Sequence, residues 1–335
     1  MYNPDGIIIV LAYPDTIVRP AYWERLSTFW PKIGVGGSHA VQAGHAALLL
    51  IQKKKSEINY YDFGRYITTY GNGRVRSKET DPEIKISIPA KFKNNELSNK
   101  EEILLYMERH SEKTHGDGRL VASIHEEIDF YKAQKFILEL IDKKELPYGV
   151  FIKNGTNCAR FVTNVIIAST QNKRIYKQLK KSNLLSPSPI GNVIKANTNN
   201  TIYKIYNQEI TNYLNRSILK EYKLTFFTKL EGEPNLKGTE IPDLDVFELI
   251  NGTWLGGIGS GAWFHLEEKV TAKTYKISRY TSKGIKDFEG LFTLKETDFN
   301  PLEAYKFVHP TNCVQAHIQQ NNKLFCLLII NQSLG

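Results

Sequence analysis

Cysteine is scarce, with only Cys158, Cys313 and Cys326 in 335 residues. Their separations fit neither a disulfide framework nor a paired metal-ligand motif, so the expectation is a reducing compartment, no metal and no cofactor. Long apolar runs are also missing. Nothing approaches the roughly 18 residues that a membrane-crossing helix needs, so no transmembrane segment is expected. The apolar opening Gly6–Ala12 is short, follows Asp5 and lacks the basic stretch of a secretory signal, which makes it a buried strand and a cytoplasmic location the default. Acidic residues are outnumbered, 35 against 44 basic ones, for a formal charge of +9. The lysines are scattered, however, in runs such as Lys53–Lys55, Lys143–Lys144 and Lys180–Lys181, which read as solvated faces, and no nucleic-acid motif accompanies them. Nucleic acid is therefore not expected as a partner. No internal repeat is visible, and nothing sets the oligomeric state.

Hydrophobic residues at 41% and charged residues at 24% are ordinary for a globular chain, and the length allows two domains. Short apolar strands alternate with helical patterns over the first ~185 residues, as in an α+β domain. Residues 6–12 read as a strand, 20–30 as a short helix after Pro20, 43–51 and 59–66 as a hairpin, and 99–110 and 125–144 as helices. Asn154–Asn157 supplies capping residues for a helix opening at Cys158. The proline-punctuated Ser186–Pro189 and the asparagines at 197–200 read as a linker. The expected division is 1–185, a linker over 186–200, and a β-rich domain over 201–335. That last domain begins with a helical candidate near 205–222 and continues into strands at 261–267, 273–280, 288–294 and 323–330.

The helix start at Cys158 is where chemistry is expected. Unpaired N–H groups and the positive end of a helix dipole favour a thiolate. Such a thiol also needs an imidazole to take its proton and a polar group to orient that imidazole. His45 opens one strand of the hairpin and Asp62 lies on the next, so cross-strand pairing can join them.

A Gly44-His45 pair opening an apolar strand, a second strand with a polar residue, and Asn157-Cys158-Ala-Arg-Phe-Val162 starting an amphipathic helix resemble the circularly permuted papain-like hydrolases. That superfamily includes the permuted NlpC-type peptidases and the lecithin retinol acyltransferase-like enzymes. Tyr60–Tyr66 and Gly73–Arg76 resemble an uncharacterised bacterial branch of it. The resemblance covers roughly residues 5–170. It implies Cys158 as nucleophile and His45 as base, with Asp62 assigned to orient the base. The implied fold is a permuted papain-like N-terminal domain of antiparallel sheet and helices followed by a β-rich domain.

Three further residues are candidates for substrate binding. Tyr13, ending the first strand, could donate to a developing oxyanion, although a packed ring is the preferred reading. Arg65, with Arg74 and Arg76, could take a substrate carboxylate or phosphate, although an exposed-strand role is the preferred reading for any one of them. His115 stands in Thr114–Arg119, a glycine-containing stretch able to cover a cleft, with His110 and His125 nearby. His39 reads as a solvated loop residue. The run Gly252–Gly261 is followed by strand-forming residues, which excludes a phosphate loop; Gly252-Thr-Trp254 faintly resembles the opening of lipocalin-like barrels. The function expected is a thiol hydrolase or acyltransferase acting on an amide, ester or thioester of a peptide-like or acyl substrate. The alternative is a noncatalytic binding module on the same fold.

Overall fold

Strand β1, Gly6–Tyr13, is buried at all eight positions, and its side chains alternate between two separate cores. The computed structural model describes residues 4–21, 23–24, 40–184, 186–214, 217–225, 227, 230, 240–242, 251–296 and 298–333. Most of the expected helix at 20–30, the glycines at 34–37 and His39 lie outside these residues.

Around β1 the chain builds an eight-stranded sheet from β2 (His45–Gln52), β3 (Ile58–Gly64), β4 (Asn72–Arg76), β5 (Leu120–Ile128), β6 (Leu146–Pro147), β7 (Ile202–Tyr206) and β8 (Glu209–Asn212). Their order is β6-β4-β3-β2-β1-β5-β7-β8. The pairs β1–β2, β1–β5 and β2–β3 are antiparallel, with Tyr13 opposite His45 and Ala47 opposite Asp62. On one face Ile8, Val10, Leu48 and Leu50 pack under α2 (Phe130–Asp142), α3 (Cys158–Ser169), α4 (Lys173–Asn183) and α5 (Pro189–Ala196). On the other, Ile7, Ile9, Leu49 and Ile51 pack with Ile103, Leu104 and Met107 of α1 (Lys100–Arg109).

Three expectations are corrected. The helix expected over 125–144 begins only at Phe130, because Leu120–Ile128 is the strand that pairs with the second edge of β1. Ile124 and Ile128 stand four apart and imitate a helical face, but the ladder vacancy beside β1 decides the matter. Asp129 marks the true helix start, its side chain accepting from the Lys132 N–H. The helical candidate at 205–222 is instead the β7–β8 hairpin, turning at Asn207 and Gln208 with φ of 51° and 61°, followed by α6 (Ile218–Thr225). Asparagine tolerates that left-handed backbone, which suits a two-residue hairpin turn.

The linker expected at 186–200 is a buried helix. Ser188 caps it through the Gly191 N–H, and Pro189 occupies the first turn, where its missing N–H costs nothing. Asn192 then braces α3, donating to the Ala159 carbonyl and accepting from Thr163 Oγ1, each at 2.7 Å. The domain boundaries move accordingly. One compact unit comprises Met1–Phe63, Val75–Ser77 and Ile84–Lys237; the other comprises Gly64–Arg74, Lys78–Glu83 and Gly238–Gly335.

The second unit is a seven-stranded antiparallel sheet of β9 (Thr253–Gly256), β10 (Gly261–Lys269), β11 (Thr274–Tyr280), β12 (Lys286–Leu294), β13 (Lys306–Val308), β14 (Gln315–Gln320) and β15 (Lys323–Ser333). In the order β9-β10-β11-β12-β15-β14-β13 the two end strands meet, the Phe307 N–H donating to Thr253 Oγ1 at 3.2 Å, so the sheet curls into a near-barrel. Glycines of the 252–261 run serve the β9–β10 hairpin; Gly261 lies so close to the Trp254 ring that a Cβ would sit 2.2 Å from it.

Candidate active site

Cys158 is the first residue of α3 and is half-buried. Its position is set by the cap. Asn157 is extended, with φ −144° and ψ 176°, and its side chain accepts from the Arg160 N–H at 2.8 Å. The Arg160 guanidinium donates back to the carbonyls of Gly149, Val150 and Gly155, fixing the segment that feeds the helix. Farther along α3, Phe161 stacks on Phe63 of β3, which stacks in turn on Tyr148. These contacts hold the head of α3 and its first unpaired N–H groups in one place.

His45 is the first residue of β2, preceded by Gly44 with φ 71°. A side chain at 44 would meet the Tyr13 carbonyl and Pro14 at about 3.0 Å, so glycine is required by both space and backbone. By strand alternation His45 belongs to the face of Ala47 and Leu49, opposite the face covered by α3. The imidazole Nε2 lies 3.1 Å from Asp62 Oδ2, and the ring is close enough to the Cys158 thiol for the two to interact electrostatically.

Asp62 is fully buried and saturated with donors. Arg76 reaches it with two groups, Nε to Oδ1 at 3.0 Å and Nη2 to Oδ2 at 2.5 Å, and Tyr60 donates its hydroxyl to Oδ2 at 2.8 Å. Burial alone would raise its carboxyl pKa, but the Arg76 charge and the bonds from His45 and Arg76 hold it well below the usual carboxylate range. Burial acts to lower the pKa of His45, yet the hydrogen bonds to Asp62 and Cys158 and their charges prevail and raise it to about 9. An imidazole held between a permanent carboxylate and a thiol at a helix head can accept, keep and return a proton.

His45 and Asp62 are thus joined directly, with Cys158 at the head of α3 nearby; the substrate-binding candidates fare differently. Tyr13 is fully buried, its hydroxyl donating to the Met107 carbonyl at 3.3 Å and its ring packed against Gly116. It is a packed ring rather than an oxyanion donor, and burial pushes its phenol pKa up. Arg65 belongs to the second unit, where it is buried and its carbonyl accepts from Gly259. Arg74 and Arg76 are equally buried, not exposed on strands, since Arg74 is bidentate to Asp81 and Arg76 to Asp62. His115 is half-buried at the end of a short helical turn, with φ 52°. His110 stacks on Tyr106, and His125 is buried beside Thr170 Oγ1 at 2.7 Å, where burial lowers its pKa to about 4. Among the described residues no group of three or more His, Cys, Asp or Glu side chains gathers as metal ligands would.

Sequence reasoning missed Arg76 and Tyr60 as partners of Asp62. One signal was present: Tyr60 and Asp62 are two apart on a strand, hence on one face. The arginine's register on β4 carried no comparable signal.

Comparison with known proteins places this geometry in a family. No curated protein matches the chain. The DUF6695 C-terminal domain matches residues 252–330. A crystal structure of the type VI secretion system effector TseH aligns with 63% of this chain and 99% of that chain, at 17% identity and a TM-score of 0.43. The TseH-like effector model covers residues 8–175, a span that includes His45, Asp62 and Cys158. With half of its 335 residues matched, the protein belongs to the type VI secretion system effector TseH-like family.

Proposed function

We propose that the chain is a thiol hydrolase of the permuted papain-like kind, acting as a secretion effector on an amide, with an ester or thioester as the lesser alternative. The observation that carries the reading is the imidazole of His45 bonded to the buried Asp62–Arg76 pair, with the Cys158 thiol at the head of α3 near enough to raise its pKa. In the first step the Cys158 sulfur attacks the substrate carbonyl carbon while His45 holds the thiol proton. The developing oxyanion is met by unpaired N–H groups at the start of α3. His45 then gives its proton to the leaving amine as the C–N bond breaks, which leaves an acyl-thioester. Water, deprotonated by His45, attacks that thioester, and the C–S bond breaks to regenerate the thiol. Asp62 stays ionised throughout and keeps the ring in orientation, while Arg76 keeps Asp62 ionised.

The family description bears on place of action. Delivery by a secretion machine calls for no classical signal, which brings a cell-wall peptide within the substrate class alongside peptide conjugates and lipid acyl groups. The test combines an acyl-type covalent probe with a panel of amide and ester substrates, using the full chain and Cys158→Ala. Adduct on Cys158 and turnover lost in the variant are expected. Turnover that survives Cys158→Ala would overturn the reading, and a wild-type protein that neither labels nor turns over would favour a binding module.

A further inference from the structure

The positive charge of this chain is unevenly placed. Residues 146–208 hold nine lysines and arginines and not one aspartate or glutamate, while everything outside that segment carries 35 basic and 35 acidic residues. The whole formal excess of +9 therefore comes from the stretch that contains α3, α4 and α5. Within it the charge concentrates on α4, where Lys173, Arg174, Lys177, Lys180 and Lys181 are all exposed. Among the described residues none of the five pairs with a carboxylate.

The same helix buries Ile175 and Leu179 completely in the core of the first unit. With 3.6 residues per turn, Lys173, Lys177, Lys180 and Lys181 centre on the side opposite that pair. Two apolar groups interrupt the basic face. Tyr176 is 41% exposed, with Lys180 Nζ 5.7 Å from its ring centroid, and Leu184, the residue that ends the helix, is 82% exposed. The field continues onto α5, where burial and then the Lys181 charge lower the pKa of the half-buried Lys195.

Folding does not account for this arrangement. Like charges three and four residues apart repel, and Lys173 and Arg174 stand in the first turn, at the positive end of the helix dipole. Both costs are relieved by an external polyanion. The apolar groups decide which kind, because a nucleic-acid backbone has no use for an exposed leucine beside the cations, whereas the boundary between headgroups and acyl chains takes up both a leucine and a tyrosine. The stripe also lies along a single convex helix, without the groove and stacked aromatic platforms that hold a single strand.

We propose that α4 is a docking face for an anionic lipid surface, with its five cations on headgroup phosphates and Tyr176 and Leu184 at the acyl boundary. Lipid binding of this kind is peripheral, is independent of the hydrolase reading and needs no turnover to measure.

The test is flotation of the full chain with vesicles of phosphatidylcholine alone or with roughly one-third phosphatidylglycerol, at low salt and at about 0.5 M salt. Binding is expected only to the anionic vesicles and should weaken with salt. Lys177→Gln/Lys180→Gln/Lys181→Gln should lower the partition coefficient at least about tenfold. Lys55→Gln/Lys85→Gln/Lys93→Gln, which removes the same charge from exposed positions elsewhere in the first unit, should lower it less than about threefold. Tyr176→Ser/Leu184→Ser keeps every charge and should lower it about threefold or more. All the replaced side chains are exposed, so the variants keep the fold. Equal losses in the two lysine triples would reduce the effect to net charge and overturn the proposal. So would a serine variant that binds as well as the wild type, or a short DNA duplex that strips the protein from anionic vesicles at equal phosphate concentration.

Discussion

Each unit buries a guanidinium against carboxylates and keeps a cysteine nearby, and the two cysteines end up chemically opposite. In the first unit Arg76 and Asp62 stand behind His45, and His45 faces a half-buried Cys158 at a helix head. In the second, Arg279 meets Asp287 at 2.9 Å, Glu83 at 2.5 Å and Asp81 at 3.6 Å, and Cys313 lies fully buried in the field of these charges. Burial there pushes the Cys313 thiol pKa well up in spite of the Arg279 charge. Proximity to a positive charge does not by itself activate a thiol. On the proposed reading, a nearby proton acceptor, partial exposure and helix N–H groups make the difference, and of the three cysteines Cys158 is the one at a helix head beside an imidazole.

The sharpest way to break this comparison is to remove each cysteine and its partners in turn. Cys158→Ala and His45→Ala should each reduce hydrolysis by about a thousandfold or more. Cys313→Ala should change kcat/KM less than about twofold, and steady-state kinetics of the three variants decide the point. Comparable losses at 158 and 313 would erase the distinction.

The next effect concerns the arginines. Arg76→Gln leaves the buried Asp62 without its main counter-charge and should destabilise its unit by about 3–5 kcal/mol, whereas Arg279→Gln leaves the partly exposed Asp287 and Glu83 while Arg74 still holds Asp81, and should cost less. Denaturant titration would measure this. Only Arg76→Gln should also slow Cys158 alkylation in protein that is still folded, because only Asp62 supports a base.

A smaller effect is expected from pH. The folded state raises the pKa of His45 from 6.5 to about 9, so it binds that proton more tightly than the unfolded chain does. Its contribution is fully present below pH 6.5 and is lost as pH rises toward 9, to the extent of about 3 kcal/mol at most. Stability measured across that window should decline in the wild type and decline less in His45→Gln; parallel curves would mean that the imidazole gains nothing on folding. Smallest of all, native alkylation at mildly acidic pH should label Cys158 about tenfold faster than the half-buried Cys326, with Cys313 reacting only after unfolding.

How much of this was legible beforehand differs by element. The strands at 6–13, 45–52 and 58–64 were readable because their apolar character is continuous and local. The helix at Cys158 was readable because Asn157 is a cap whose chemistry acts within three residues. The strand at 120–128 was misread over its second half because a pair of isoleucines four apart satisfies two periodicities equally, and pairing with β1 is a non-local decision. The helix at 189–196 was hidden by Pro189 and Ser188, which are loop formers in one context and a helix start in another.

The sequence by itself determined the mixed α and antiparallel β character and the β-rich second half, and it singled out the thiol, imidazole and carboxylate proposed for the site, since each depends on residue type and short-range pattern. Tertiary structure alone decided that Arg76 and Tyr60 close on Asp62 and that residues 64–74 and 78–83 belong with 238–335. Those outcomes depend on the register between strands and on which buried polar groups find partners. Register and partnership across tens of residues are set by the energy of the whole packed arrangement rather than by any local stretch of chain.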